Sequence, residues 1–134
     1  MPSHKLAQLL LRKAAQDEYV VLKLIEHPES PDEIIGFHAQ QSIEKLFKAV
    51  LAARGIRFRK THDLLELIDL LVDNGVAFPD ELEQARFLTP FATDFRYEEF
   101  FQGSIDSFDR HSALRCIENV RCWAESNLRD KPPD

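Results

Sequence analysis

His38, Gln41, Lys45 and Lys48 stand at intervals of three and four, so on a helix they share one stripe, with Glu44 beside it. An imidazole, an amide and two ammonium groups along one face are hydrogen-bond donors suited to an oxyanion. The competing reading is an ordinary solvated helix face. A second concentration follows in Arg57-Phe58-Arg59-Lys60-Thr61-His62. Arginine forks match phosphate oxygens, and Phe58 can stack on a base. Thr61-His62, read as the start of a helix, adds unpaired backbone N–H groups that favour an anion. The alternative is self-complementation, in which the basic loop pairs with the acidic helix after it or with that of a dimer mate. A third candidate is Arg96-Tyr97, set among Asp94, Glu98 and Glu99 and four phenylalanines (Phe91, Phe95, Phe100, Phe101). An interior arginine paired with a carboxylate is its plain reading.

The charge pattern sharpens the second of these. The chain carries 17 basic and 23 acidic side chains, a net charge of −6. That total disfavours a general nucleic-acid coat, which needs surplus cations to displace counterions. The distribution is uneven. Between Glu44 and His62 stand six cations (Lys45, Lys48, Arg54, Arg57, Arg59, Lys60) and one acid. Between Asp63 and Glu83 stand seven acids and no cation. A single local phosphate site between Lys45 and His62 is compatible with the overall sign.

The elements that must position these groups are helical throughout, because apolar residues recur at helical spacing and no run alternates long enough for a strand. A first helix is expected from about Ser3 to Glu26, with Leu6, Leu10, Ala14, Val21 and Leu24 inward, stopped at His27-Pro28. Ser30-Pro31-Asp32-Glu33 reads as a capped start, serine at the N-cap and proline at the first helical position. The second helix, with Ile35, Ala39, Ile43, Leu46, Val50 and Ala53 inward, runs to about Arg54, where Gly55 ends it. Thr61 is the expected cap of a third helix carrying Leu64, Leu65, Leu67, Ile68, Leu71 and Val72, closed by Asn74-Gly75. Pro79-Asp80-Glu81 opens a fourth, which Pro90 interrupts. Ser104 is the expected cap of a last helix, about Ile105 to Leu128, with Ala113, Cys116, Ile117, Val120 and Trp123 inward. The prediction is an all-α, antiparallel four- to five-helix up-and-down bundle. It forms a single domain over residues 1–130, with 131–134 a frayed tail.

Several classes find no support. The 134 residues are 44% hydrophobic with ten phenylalanines, enough for one core. No apolar run approaches the roughly 18 residues that span a bilayer. The start has no signal-peptide core. A cytoplasmic protein without membrane partners is expected. Cys116 and Cys122 lie about 9 Å apart along one helix on different faces, so two buried, reduced thiols are expected. The histidines and cysteines show no metal-ligand spacing, and neither a metal nor a cofactor is expected. There is no Gly-rich phosphate loop and no Gly-x-Ser-x-Gly.

Taken together, the motifs resemble the HEPN family (higher eukaryotes and prokaryotes nucleotide-binding domains). Phe37-His38-Ala39-Gln40-Gln41 with Glu44-Lys45 and Lys48 is similar to its second-helix signature. Thr61-His62-Asp63-Leu64-Leu65 is similar to its Thr-His-(Ser/Asp)-Leu element, Arg96-Tyr97 to its Ala-Arg-Tyr-Pro element, and Lys13-Ala14-x-x-Asp17 to its first-helix pattern. The resemblance implies a dimeric helical bundle that binds nucleotide or RNA as an accessory protein. It also implies a minimal nucleotidyltransferase partner in a toxin–antitoxin-type pair. Under it, Arg96 and Tyr97 meet His38 and His62 in a shared groove, and His38, Gln41, Lys45, Lys48, Arg57, Arg59, His62, Arg96 and Tyr97 form the nucleotide- or phosphate-binding set. The family's other branch implies a metal-independent endoribonuclease recognised by Arg-x4-6-His on a late helix. The candidates for that role are Arg57, His62 and Arg96. Only Arg57 and His62 have the spacing, and they stand before the third helix rather than on a late one. After Arg96 the next histidine is His111. A purely structural dimer, in which the polar stripe serves assembly alone, is the remaining alternative.

Overall fold

The computed structural model describes residues 1–92 and 109–129. Among them are α1 (His4–Ile25), α2 (Asp32–Ala53), α3 (Leu64–Asp73), a 3₁₀ segment (Asp80–Ala92) and α4 (Arg110–Arg129), with no strand. The fold is the all-α bundle that the periodicity predicts. Arg96, Tyr97, the proposed Ser104 cap and the tail lie outside the described residues.

α2 is the central element, and α1, α3, α4 and the 3₁₀ segment all pack on it. Its buried positions include Ile35, Ala39, Ile43, Leu46, Phe47, Val50 and Leu51, together with the polar Gln40, Ser42 and Glu44. Cross-helix bonds give the directions. Ser3 N donates to Ala52 O at 2.9 Å and Ser42 Oγ to Ala14 O at 2.9 Å, so α1 and α2 run antiparallel. Arg110 reaches Asp32 while Arg54 reaches Asn127, so α4 runs parallel to α2. No helix among the described residues is long and apolar enough to cross a membrane.

The helix ends differ from expectation in instructive ways. Ser3 caps α1, its Oγ accepting from Leu6 N. The inward stripe of α1 is Ala7, Ala14 and Val21, and Leu6 is 39% exposed. Small side chains at those positions let α1 approach α2 closely enough for the Ser42–Ala14 bond. At α2, Pro31 rather than Ser30 is the capping residue, with ψ 132° and no side-chain cap. Its carbonyl accepts from both Ile34 N and Ile35 N. α3 begins at Leu64, not at Thr61, because the Asp63 side chain accepts from Leu65 N at 2.9 Å and takes the cap. α4 is described from Arg110, and the expected start at Ile105 lies outside the described residues. Asp109 bonds His111 N and Ser112 Oγ, which also holds its carboxyl below the usual range.

Gly55 and Gly75 have the left-handed φ of +69° and +80° that the sequence calls for at these ends. A Cβ on Gly55 would also press on the Pro2 nitrogen at 2.9 Å. The fourth element is a 3₁₀ helix, opened by Leu82 N donating to Pro79 O, an i→i+3 bond. Trp123 is half-buried. Its Nε1 donates to Ala77 O at 3.0 Å while its ring meets Phe47 and Phe78 edge-on, each at 5.8 Å. Both cysteines are free, but only Cys116 is buried, and Cys122 is exposed. The expectation that both are buried fails for Cys122, because a six-residue step turns a helix by about 600° and puts it on a different face from the inward Cys116.

Candidate functional site

The polar groups of α2 fall into two clusters, each built on one carboxylate. The first joins α1 to α2. Asp17 accepts from His38 Nδ1 at 3.0 Å and from Lys45 Nζ at 2.5 Å. Its neighbour Ala14, one turn back, is buried against α2, which brings the carboxylate over the stripe. The His38 ring also meets Phe37 edge-on at 5.3 Å.

The second cluster joins α2 to the loop before α3. Glu44, with a side chain 4% exposed, presents Oε1 to His62 Nδ1 at 2.9 Å and Oε2 to Lys48 Nζ at 2.8 Å. Gln40 Nε2 donates both to Glu44 Oε1, at 3.1 Å, and to His62 O, at 2.8 Å. Lys48 Nζ also donates to Thr61 O at 2.9 Å and sits 5.8 Å from the Phe58 ring centre. The clusters touch where Gln41 Nε2 donates to Gln40 Oε1 at 2.7 Å.

A buried carboxylate is costly unless paired, and here each has a cation and further donors. The two lysines are thereby matched, and what is left facing outward is imidazole. His62 is 56% exposed, and its Nε2 makes no hydrogen bond among the described residues. His38 likewise bonds only through Nδ1 among them.

Of the residues expected from the sequence, His38, Gln41, Lys45, Lys48 and His62 converge on this seam, all part-buried or bonded into it. Arg59 turns away, bound to Glu66 of α3 through two bonds of 2.8 and 2.7 Å. Arg57 and Lys60 are exposed and form no hydrogen bond or ion pair among the described residues. The backbone of Thr61-His62 offers carbonyls to Gln40 and Lys48 instead of opening a helix, and Asp63 places its own carboxylate at the N-terminus of α3. Arg96 and Tyr97 lie outside the described residues. No group of three His, Cys, Asp or Glu among the described residues is placed to hold a metal ion. Sequence reasoning omitted Asp17, Gln40 and Glu44 from the site. The available signal was polarity at positions the helical period makes inward, since a buried acid or amide on α2 must have partners.

A family model for the HEPN domain matches residues 7–127, nearly the whole chain. The chain belongs to the HEPN family. Among curated proteins it is similar to "Putative toxin MJ1304" of Methanocaldococcus jannaschii, with 39% identity over 56 residues. That match covers 42% of this chain and spans about a third, 36%, of the relative's length. No solved structure matches the chain. Within this HEPN bundle, the seam beside α2 brings together His38, Gln41, Glu44, Lys45, Lys48 and His62.

Proposed function

We propose that this HEPN chain is a toxin-type ribonuclease that acts on RNA at the α2 seam, with His62 as its proton-transfer group. The observation that carries the reading is the imidazole of His62. A buried carboxylate holds its Nδ1, its other nitrogen faces outward, and the exposed cations Arg57 and Lys60 stand in the same loop. A carboxylate only accepts hydrogen bonds, so Nδ1 carries a proton, and in its neutral form the ring offers Nε2 as a base. Arg57 and His62 also have the Arg-x4-His spacing, although they precede α3. The toxin name of the archaeal relative favours this branch over the accessory role.

In this reading Arg57 and Lys60 hold the phosphate that flanks the cleaved bond. His62 Nε2 takes the proton of the ribose 2′-hydroxyl as that oxygen bonds to phosphorus. The bond from phosphorus to the 5′-oxygen breaks, and water supplies the proton that the leaving oxygen gains. No redox partner is needed. Positioned proton transfer of this kind contributes roughly 10²- to 10⁴-fold.

The second reading is the nucleotide- or RNA-binding accessory of a minimal nucleotidyltransferase, within a homodimer. It is favoured by the position of the Arg-x4-His pair before α3 instead of on a late helix. Incubating the purified chain with single-stranded RNA in EDTA separates the two. Cleavage supports the ribonuclease. Retention of intact RNA, with a nucleotidyltransferase co-purifying, supports the accessory.

A further inference from the structure

Gln40, Glu44 and Lys48 follow one another at intervals of four, a single ridge of α2, and all three grip the same dipeptide. Lys48 Nζ takes the carbonyl of Thr61, Gln40 Nε2 the carbonyl of His62, and Glu44 Oε1 the ring Nδ1 of His62. The three also bind one another, through Gln40 to Glu44 Oε1 and Lys48 to Glu44 Oε2. We infer that this ridge is a clamp whose function is to fix His62 in one tautomer and one orientation, with Glu44 as its positioning residue. The inference rests on the reading of His62 as the proton-transfer group.

The argument is one of constraint. Two backbone bonds fix where the His62 main chain lies, and the third fixes its ring. With the backbone alone held, the ring could turn about its side-chain torsions and present either nitrogen outward. With Glu44 in place, Nδ1 must donate, so in the neutral ring Nε2 is the bare nitrogen and faces away from the ridge. Gln40 is suited to its place because both of its donors are used there. Its Oε1 accepts from Gln41. Lys48 supplies a cation 2.8 Å from the Glu44 carboxylate, which offsets the cost of burying it. Glu44 touches no substrate in this scheme, and its effect passes through the imidazole.

The test reads the ring directly. Long-range proton–nitrogen correlation spectra of the full-length, nitrogen-15-labelled protein, at about pH 8 where an ordinary imidazole is neutral, are expected to show His62 with a protonated Nδ1 and a bare Nε2. Glu44→Gln, checked for folding by circular dichroism, is expected to move His62 toward the Nε2–H form. It is also expected to lower kcat for RNA cleavage by about 10- to 100-fold with KM nearly unchanged. A merely structural glutamate would leave the tautomer ratio alone. Finding the Nε2–H tautomer in the wild-type protein overturns the inference and needs no variant. An unchanged ratio in Glu44→Gln does the same. The expected tautomer in a chain that leaves RNA intact upholds the clamp and rejects the ribonuclease reading, so the two failures are distinguishable.

Discussion

Arg59 and Glu66 form a two-pronged guanidinium–carboxylate pair, 2.8 and 2.7 Å, that ties the basic loop to the acidic α3. The pair raises the Arg59 guanidinium above its ordinary value, chiefly through the hydrogen bond to Glu66. It divides the loop's cations by use: Arg59 answers the charge of α3, while Arg57 and Lys60 face outward without such a partner among the described residues.

This division predicts unequal roles in RNA binding. Arg57→Ala is expected to weaken binding and to lower the slope of log affinity against log salt by about one, as loss of one phosphate contact does. Arg59→Ala is expected to change that slope little. Filter binding at several salt concentrations measures both. Equal slopes for the two variants would assign Arg59 to phosphate as well.

Arg110 joins the start of α4 to the α1–α2 turn, bonding Asp32 Oδ1 at 2.6 Å, Ser30 O at 2.9 Å and His27 O at 3.1 Å. Arg110→Ala leaves two carbonyls and a carboxylate without that donor. The expected loss is about 1–3 kcal/mol of stability by urea denaturation, with faster amide exchange in the turn. Unchanged exchange there would show that Pro31 and the turn hold themselves.

Phe47 is fully buried at the centre of α2 and meets Trp123 and Phe78 edge-on. Phe47→Ala is expected to cost about 3–5 kcal/mol and to shift the emission of Trp123, the chain's one tryptophan. Thermal unfolding followed by fluorescence reads both.

The cysteines predict a pH effect and a labelling pattern. Burial pushes the Cys116 thiol up from 9.0 to about 11. Between those values the unfolded chain is ionised at this residue and the folded one is not. The contribution to stability is therefore complete below pH 9 and declines as the pH rises toward about 11. A thiol reagent at neutral pH is expected to modify Cys122 alone in the folded chain and both residues after denaturation. Two reactive thiols in the native protein would contradict the burial.

The fold was legible wherever a backbone conformation and a residue type select each other. Gly55 and Gly75 end their helices with positive φ, and Pro28 lies just beyond the end of α1. Caps were less legible, because Ser30, Thr61 and Asp63 are all competent and the choice depends on tertiary partners. Asp63 takes the cap of α3 since the Thr61 and His62 carbonyls are already claimed by Lys48 and Gln40. The polar stripe of α2 was visible as spacing, and His38, Gln41, Lys45 and Lys48 lie along the seam. Its acids were not. Asp17 is 21 residues from His38 and Glu44 is 18 from His62, and no local rule pairs groups so far apart. Leu6 and Ala7 show the same limit: hydrophobicity favours leucine inward, but the close approach of α1 to α2 selects alanine.

The central claim is that His62 carries proton transfer on RNA. The direct measurement compares wild-type protein with His62→Ala, both in EDTA, on one single-stranded RNA resolved by gel. Cleavage by the wild type that the substitution abolishes, with circular dichroism unchanged, is the predicted result. Equal cleavage by the two proteins, or intact RNA with both, would contradict it.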